Sequence, residues 1–122
     1  LQRNHIRCQG AVAIAAALQV NGGLQVLSLR FNEIADSGAT ALGKALQANR
    51  SVIELHLGGN LIGAEGAVQL AASLVHNASI RLLNLRSNSI LDAGAVALAQ
   101  MCKRNDTLAE LYLGSNGIGE EG

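Results

Sequence analysis

His56 stands two residues from Glu54. On an extended strand that spacing puts an imidazole and a carboxylate on one face. Such a pair can relay a proton or begin a metal site, but either task wants a second histidine or a cysteine close by. His5 and His76 fall in a loop and at a helix end, away from that face. His56 is therefore expected to be an exposed surface histidine, with no metal and no cofactor. Cys8 and Cys102 lie near opposite ends of the chain, beyond the Cα reach of about 7 Å that a disulfide allows. Two thiols in unlike settings suit a reducing, cytoplasmic compartment. No Ser–His–Asp or Cys–His set is expected to converge on one face, and Glu54 and Glu110 should sit two strands apart on an open sheet. No catalytic residue is assigned, and the chain reads as a non-enzyme.

Two motif matches dissolve on inspection. GATALGKA, residues 38–45, nearly spells a phosphate loop. It ends on Ala45, which has no hydroxyl for Mg²⁺, and it falls inside a helix instead of between strand and helix. Asn49-Arg50-Ser51, Asn77-Ala78-Ser79 and Asn105-Asp106-Thr107 match the glycosylation sequon. The spacing of those asparagines has a structural explanation, given below.

The bulk numbers narrow the field further. A chain of 122 residues is one domain's length. Hydrophobic residues make up 49% and aromatics only 2%, so the core must be Leu, Ile, Val and Ala. Nine basic and nine acidic residues cancel, leaving no electrostatic footprint for nucleic acid or an anionic membrane. The longest apolar run, AVAIAAAL at 11–18, is far short of the about 20 residues that cross a bilayer.

The elements that would position these residues come from a repeat. LSLRFNEI returns as LHLGGNLI, LNLRSNSI and LYLGSNGI. Asn4, Asn32, Asn60, Asn88 and Asn116 keep a constant step, as do Gly10, Gly38, Gly66, Gly94 and Gly122, and Asn21, Asn49, Asn77 and Asn105. Periodicity without insertions marks a solenoid. The expected units are 24–51, 52–79 and 80–107, with partial units 1–23 and 108–122.

Each unit has two halves. Leu27 and Leu29 alternate with polar neighbours, a strand pattern. Ala39, Leu42, Ala45 and Leu46 fall at helical spacing. Gln69, Ser73, Gln100, Lys103 and Arg104 should face water, and Cys102, in the column of Leu46 and Leu74, should be a small core residue. Asp36, Glu65, Asp92 and Glu120 sit near helix starts, and Arg50, His76, Lys103 and Arg104 near helix ends, which suits the helix dipole. Asn49, Asn77 and Asn105 are expected as left-handed helix caps.

Strand–helix repetition predicts a parallel sheet with right-handed crossovers. Strands about 4.8 Å apart and helices about 8–10 Å apart bend the stack, strands inside and helices outside. Small side chains (Ala39, Ala45, Ala67, Ala71, Ala95, Ala99) let helix and sheet approach. The Asn of each LxLxxN phrase should bury its amide between successive turns, since it offers both donors and an acceptor there, which Leu and ionised Asp do not.

LxxLxLxxNxI followed by GAxALAxALxxN resembles the leucine-rich repeat, specifically its ribonuclease-inhibitor-like class, and the wording is most similar to the repeats of NOD-like receptors. Ran GTPase-activating proteins share the class. The resemblance covers essentially the whole chain. It implies an α/β horseshoe that binds a protein partner through its concave sheet, as part of a larger receptor or scaffold. Two alternatives are a GTPase activator, with Arg30, Arg86 or Asn84 stimulating hydrolysis from the rim, and a purely architectural spacer.

The positions alternating with core leucines face the concave side. They form the columns Val26, Glu54, Leu82, Glu110; Ser28, His56, Asn84, Tyr112; and Arg30, Gly58, Arg86, Gly114; with Phe31, Gly59, Ser87 and Ser115 at the edge. Gln2 and Arg3 extend the last two. The only aromatics, Phe31 and Tyr112, land here with two arginines, the residue types enriched at binding hot spots. The expected partner-binding residues are Arg30, Phe31, Glu54, His56, Asn84, Arg86, Glu110 and Tyr112. Neither end carries the polar cap a solenoid needs, so the chain is expected to belong to a longer array, with self-association through bare ends as an alternative.

Overall fold

A computed structural model describes residues 5–119. Helices and strands alternate strictly: α1 (Arg7–Val20), β1 (Val26–Ser28), α2 (Ala35–Ala48), β2 (Glu54–His56), α3 (Ala64–Leu74), β3 (Leu82–Asn84), α4 (Leu91–Arg104) and β4 (Glu110–Tyr112). The expected Asn4 and Gly122 of the two columns, the helix-start Glu120, and Gln2 and Arg3 lie outside the described residues.

The strands form one parallel sheet in sequence order. Leu27 pairs with Leu55, Leu55 with Leu83 and Leu83 with Leu111, so each strand is in register one repeat step from the last. The ladder runs on past the strands: Leu29 N donates to His56 O at 2.9 Å, and Phe31 N to Gly58 O at 2.9 Å. Every second residue points into one core, where Leu29, Leu57 and Leu85 meet Leu42, Leu70 and Leu98 from the helices. Ile34, Ile62 and Ile90 close the turn between the two layers. The result is the expected α/β solenoid, with the sheet lining one face and the helices the other. Each helix starts earlier than GATALGKA suggests; α2 opens at Ala35. Among the described residues no helix is long and apolar enough to cross a membrane.

Two asparagine ladders hold the layers together. In the first, Asn60 Oδ1 accepts from Asn32 N at 2.8 Å and Ile34 N at 3.4 Å. Its Nδ2 donates to Leu29 O at 2.8 Å and Gly58 O at 3.2 Å. Asn88 repeats this onto Asn60 N, Ile62 N and Leu57 O, and Asn116 onto Asn88 N, Ile90 N and Leu85 O. All four side chains are buried. Each amide satisfies backbone groups of the preceding turn that water cannot reach.

The second ladder corrects the reading of Asn49, Asn77 and Asn105. Asn49 and Asn105 are extended, at φ −74° and −96°, and Asn77 is not among the left-handed residues either. Asn77 Nδ2 donates to Leu46 O at 2.8 Å, in the last turn of α2, and Asn105 Nδ2 to Leu74 O at 2.8 Å. Each thus satisfies a helix-end carbonyl of the unit before it. Asn77 Oδ1 then accepts from Ser79 N at 2.9 Å and Ile80 N at 2.8 Å, steering the chain into the next strand. A left-handed cap would swing the side chain away from both tasks.

Three further expectations fail. Ser73 is buried at 6%, because Gly43 of α2 leaves room for it; a Cβ on Gly43 would sit 3.0 Å from Ser73 Oγ. Ala99 and Cys102 are exposed. Their equivalents Ala71, Leu46 and Leu74 are covered by a following helix, and among the described residues none follows α4. Burial still holds the Cys102 thiol above its ordinary pKa. Acidic residues do occupy the first turns of α2, α3 and α4. Asp36 and Asp92 also accept from Gly63 N and Gly119 N, each at 2.6 Å, tying one unit to the next.

Candidate functional site: the open face of the sheet

Val26, Ser28 and Arg30 alternate with buried Leu27 and Leu29, so the sheet presents its remaining side chains on one open face. The three columns expected from the sequence are there, in register. Their contents alternate. Arg30 and Arg86 belong to the units of β1 and β3. Glu54, His56 and Gly58, then Glu110, Tyr112 and Gly114, belong to the units of β2 and β4. This period of two units is legible in the letters, where LRxN alternates with LGxN, yet column-by-column reading treats it as mere variability.

The alternation has a physical use. Arg86 lies along Gly114, where a Cβ would stand 3.8 Å from Arg86 Cγ, and its guanidinium carbon sits 4.6 Å from the centre of the Tyr112 ring. Tyr112 Oη in turn donates to Glu110 Oε2 at 3.1 Å. Arg30 lies across Gly58 in the same way, with Nε 3.4 Å from where a Cβ would be. Beside it His56 Nε2 and Glu54 Oε1 are 3.3 Å apart. Each pair of units therefore makes one cassette: an arginine from the first unit, and an aromatic or imidazole ring and a glutamate from the second. Among the described residues neither arginine has a carboxylate within ion-pair distance, and Arg30 Nε is buried without a hydrogen-bond partner.

Phe31, Gly59, Ser87 and Ser115 mark the rim, all in the left-handed region at φ 59°, 67°, 57° and 57°. For a phenylalanine that conformation is an outlier that surrounding structure must enforce. The Phe31 ring lies against Gly59, filling the space a side chain would take, and remains 45% exposed. At the edge of the described chain, Glu33 meets His5 at 3.1 Å and Arg7 at 3.3 Å. The His5 hydrogen bond, with Arg7 adding to it, holds the Glu33 carboxyl below its usual value.

Two expected site residues sit differently. His56 is half-buried, not exposed; its side chain is 21% accessible against 41% for Glu54. Asn84 is buried at 6%, with Oδ1 accepting from Arg86 N at 3.0 Å, so it holds the backbone at Arg86 and exposes little surface of its own.

The register keeps the expected neighbours of His56 beside it. Ser28 pairs with His56 across the ladder, so Ser28, His56 and Glu54 share one face. Four of the neighbouring backbone N–H groups are spent in the ladder: Leu29 on His56 O, Leu57 on Asn84 O, Phe31 on Gly58 O and Gly59 on Arg86 O. Among the described residues no group of three or more His, Cys, Asp or Glu could hold a metal ion, and both cysteines are free.

The leucine rich repeat family profile matches residues 24–43, 48–71 and 76–99, more than half of the chain. The chain belongs to the leucine-rich repeat family. No curated protein sequence matches it. Among solved structures it is similar to leiomodin-1 actin-binding site 2, with a TM-score of 0.79 and 24% identity over 87% of this chain and 62% of that one. That likeness is one of fold, and the chain spans less than two thirds of the leiomodin structure.

Within this leucine-rich repeat sheet two site contacts yield direct tests. Glu110 accepts the hydrogen bond of Tyr112 and its charge opposes ionisation, so it holds the Tyr112 phenol above the ordinary tyrosine pKa. A raised folded-state value means that any stabilisation is present below the unfolded tyrosine pKa and is lost as pH rises through the folded one. Glu110→Gln should lower the Tyr112 titration. Tyr112 is the only tyrosine, so tyrosinate absorbance reads it alone; an unmoved curve would mean that the contact is not formed in solution. Gly59→Ala should cost about 1–2 kcal/mol for the left-handed conformation and push the Phe31 ring off the rim. A ring resonance of Phe31 unchanged from the parent's would contradict that packing.

Proposed function

We propose that this leucine-rich repeat chain is a protein-interaction module that holds a protein partner on the open face of its sheet. The carrying observation is the pair of cassettes, in which Arg30 and Arg86 are laid flat on neighbouring glycines with no carboxylate in reach among the described residues. An arginine already packed loses less side-chain entropy when a partner's carboxylate arrives. Arginine and aromatic groups in such settings are the side chains that dominate interface energetics. The sheet edge of Phe31 and the Glu54 and Glu110 carboxylates complete a surface with apolar, cationic and anionic parts, and His56 lies between the charges.

The reading extends to class and setting. The repeat wording favours the ribonuclease-inhibitor-like class and NOD-like receptors, with units divided at 24–51, 52–79 and 80–107, in a cytoplasmic receptor or scaffold. A leiomodin array of the same fold is an actin-binding site, which fits a protein partner without naming one here. Binding requires no cofactor and no chemistry on the partner. The test compares two variants of the full-length parent protein, one altered at Arg30, Phe31, Arg86 and Tyr112, the other on the helix face at Lys44, Gln69 and Gln100. Partners kept by the second and lost by the first support the reading; the reverse pattern overturns it.

A further inference from the structure

Resting on that reading, we propose that the partner segment is an α-helix lying along the sheet, across the strands, with acidic side chains seven residues apart on one flank and basic side chains seven apart on the other. The period of the cassettes carries the inference. Arg30 and Arg86 are two strands apart, as are Glu54 and Glu110. Parallel strands are about 4.8 Å apart, so like charges recur every ~9.6 Å. Seven residues of α-helix advance about 10.5 Å and return to nearly the same flank. An extended segment offers same-face side chains every ~6.8 Å or twice that, and neither matches.

The width agrees as well. The glutamate column and the arginine column are four residues apart along each strand, about 13 Å. A helix with its side chains is about 10–12 Å across. It fills that space and sets one flank against each column. A polyproline segment repeats every ~9.3 Å and so meets the period, but it is too thin to reach both columns at once. Charge complementarity completes the match: among the described residues the arginines have no acidic partner, and Glu54 and Glu110 contact only His56 and Tyr112 on this face.

The test uses synthetic probes. One is an alanine-based helical peptide with two glutamates seven apart and a lysine two residues after each. A second has the same composition, with the later glutamate and lysine moved to a spacing of five, which leaves the flank. A third is a proline-rich peptide with glutamate at every third position. Fluorescence anisotropy at low salt against the whole chain should show the first binding about tenfold more tightly than either of the others. Arg86→Glu alone, and with Arg30→Glu, should remove that preference, and a peptide with lysine at all four positions should then bind best. Equal binding of the two helical isomers, or tightest binding of the proline-rich peptide, overturns the helix. If no peptide binds while the four-residue variant still loses its protein partner, the helix inference fails and the interaction reading stands. If the first peptide binds parent and four-residue variant alike, both fail.

Discussion

Asn60→Leu should destabilise the array by about 3–5 kcal/mol, a large share of the about 5–15 kcal/mol that holds a domain of this kind together. Leucine is close in size but bonds to nothing. Leu29 O keeps a donor from Asn32 Nδ2 at 3.0 Å, and Gly58 O keeps Phe31 N. Asn32 N and Ile34 N lose their acceptor inside the stack, and each orphaned buried donor costs about 1–3 kcal/mol. The damage sits mid-array, where it also weakens the coupling between neighbouring units. Asn60→Asp keeps an acceptor but turns a carboxylate toward the Leu29 and Gly58 carbonyls. It should be destabilising at neutral pH and recover partly on acidification, as the acid becomes a donor again. Urea denaturation compares the two variants with the parent.

The combined variant Arg30→Ala, Phe31→Ala, Arg86→Ala and Tyr112→Ala should lose partner binding about 100-fold or more while remaining folded. Three or four truncated hot-spot side chains are each worth about 1–2 kcal/mol or more at an interface, and none of these four belongs to the buried core. Phe31→Ala keeps the left-handed backbone strain and leaves it without a ring to pack. The effects of Arg86 and Tyr112 should not add, because the guanidinium rests on the ring. A double-mutant cycle should find about 0.5–1 kcal/mol of coupling between them. A variant that binds as the parent does would remove these residues from the interface.

What the sequence disclosed followed from how local each feature is. The leucine columns and the first asparagine ladder depend on a period within the chain, and Asn32 through Asn116 could be assigned a bonding role from residue type alone. The second ladder was missed because a helix-cap role already explained an asparagine at that spot. Only the distance from Asn77 Nδ2 to Leu46 O shows that it serves the preceding helix instead. Ser73 reads as solvated on its own helix, and its burial is decided by Gly43 in a different unit. Cys102 and Ala99 read as core by analogy, but their cover depends on an element after α4. The open-face residues were found by alternation. Their grouping into cassettes needed the lean of each arginine onto the next unit's glycine, which no single column reveals.

Partner binding on the open face is tested most directly by following the aromatic side-chain NMR signals while the natural partner is titrated in. The chain has one phenylalanine and one tyrosine, so the signals of Phe31 and Tyr112 are unambiguous, and His76 reports from the exposed turn after α3. Recognition through the sheet predicts that Phe31 and Tyr112 shift or broaden in step with binding while His76 stays put. Movement of His76 with Phe31 and Tyr112 unchanged would place the partner on the other side of the molecule.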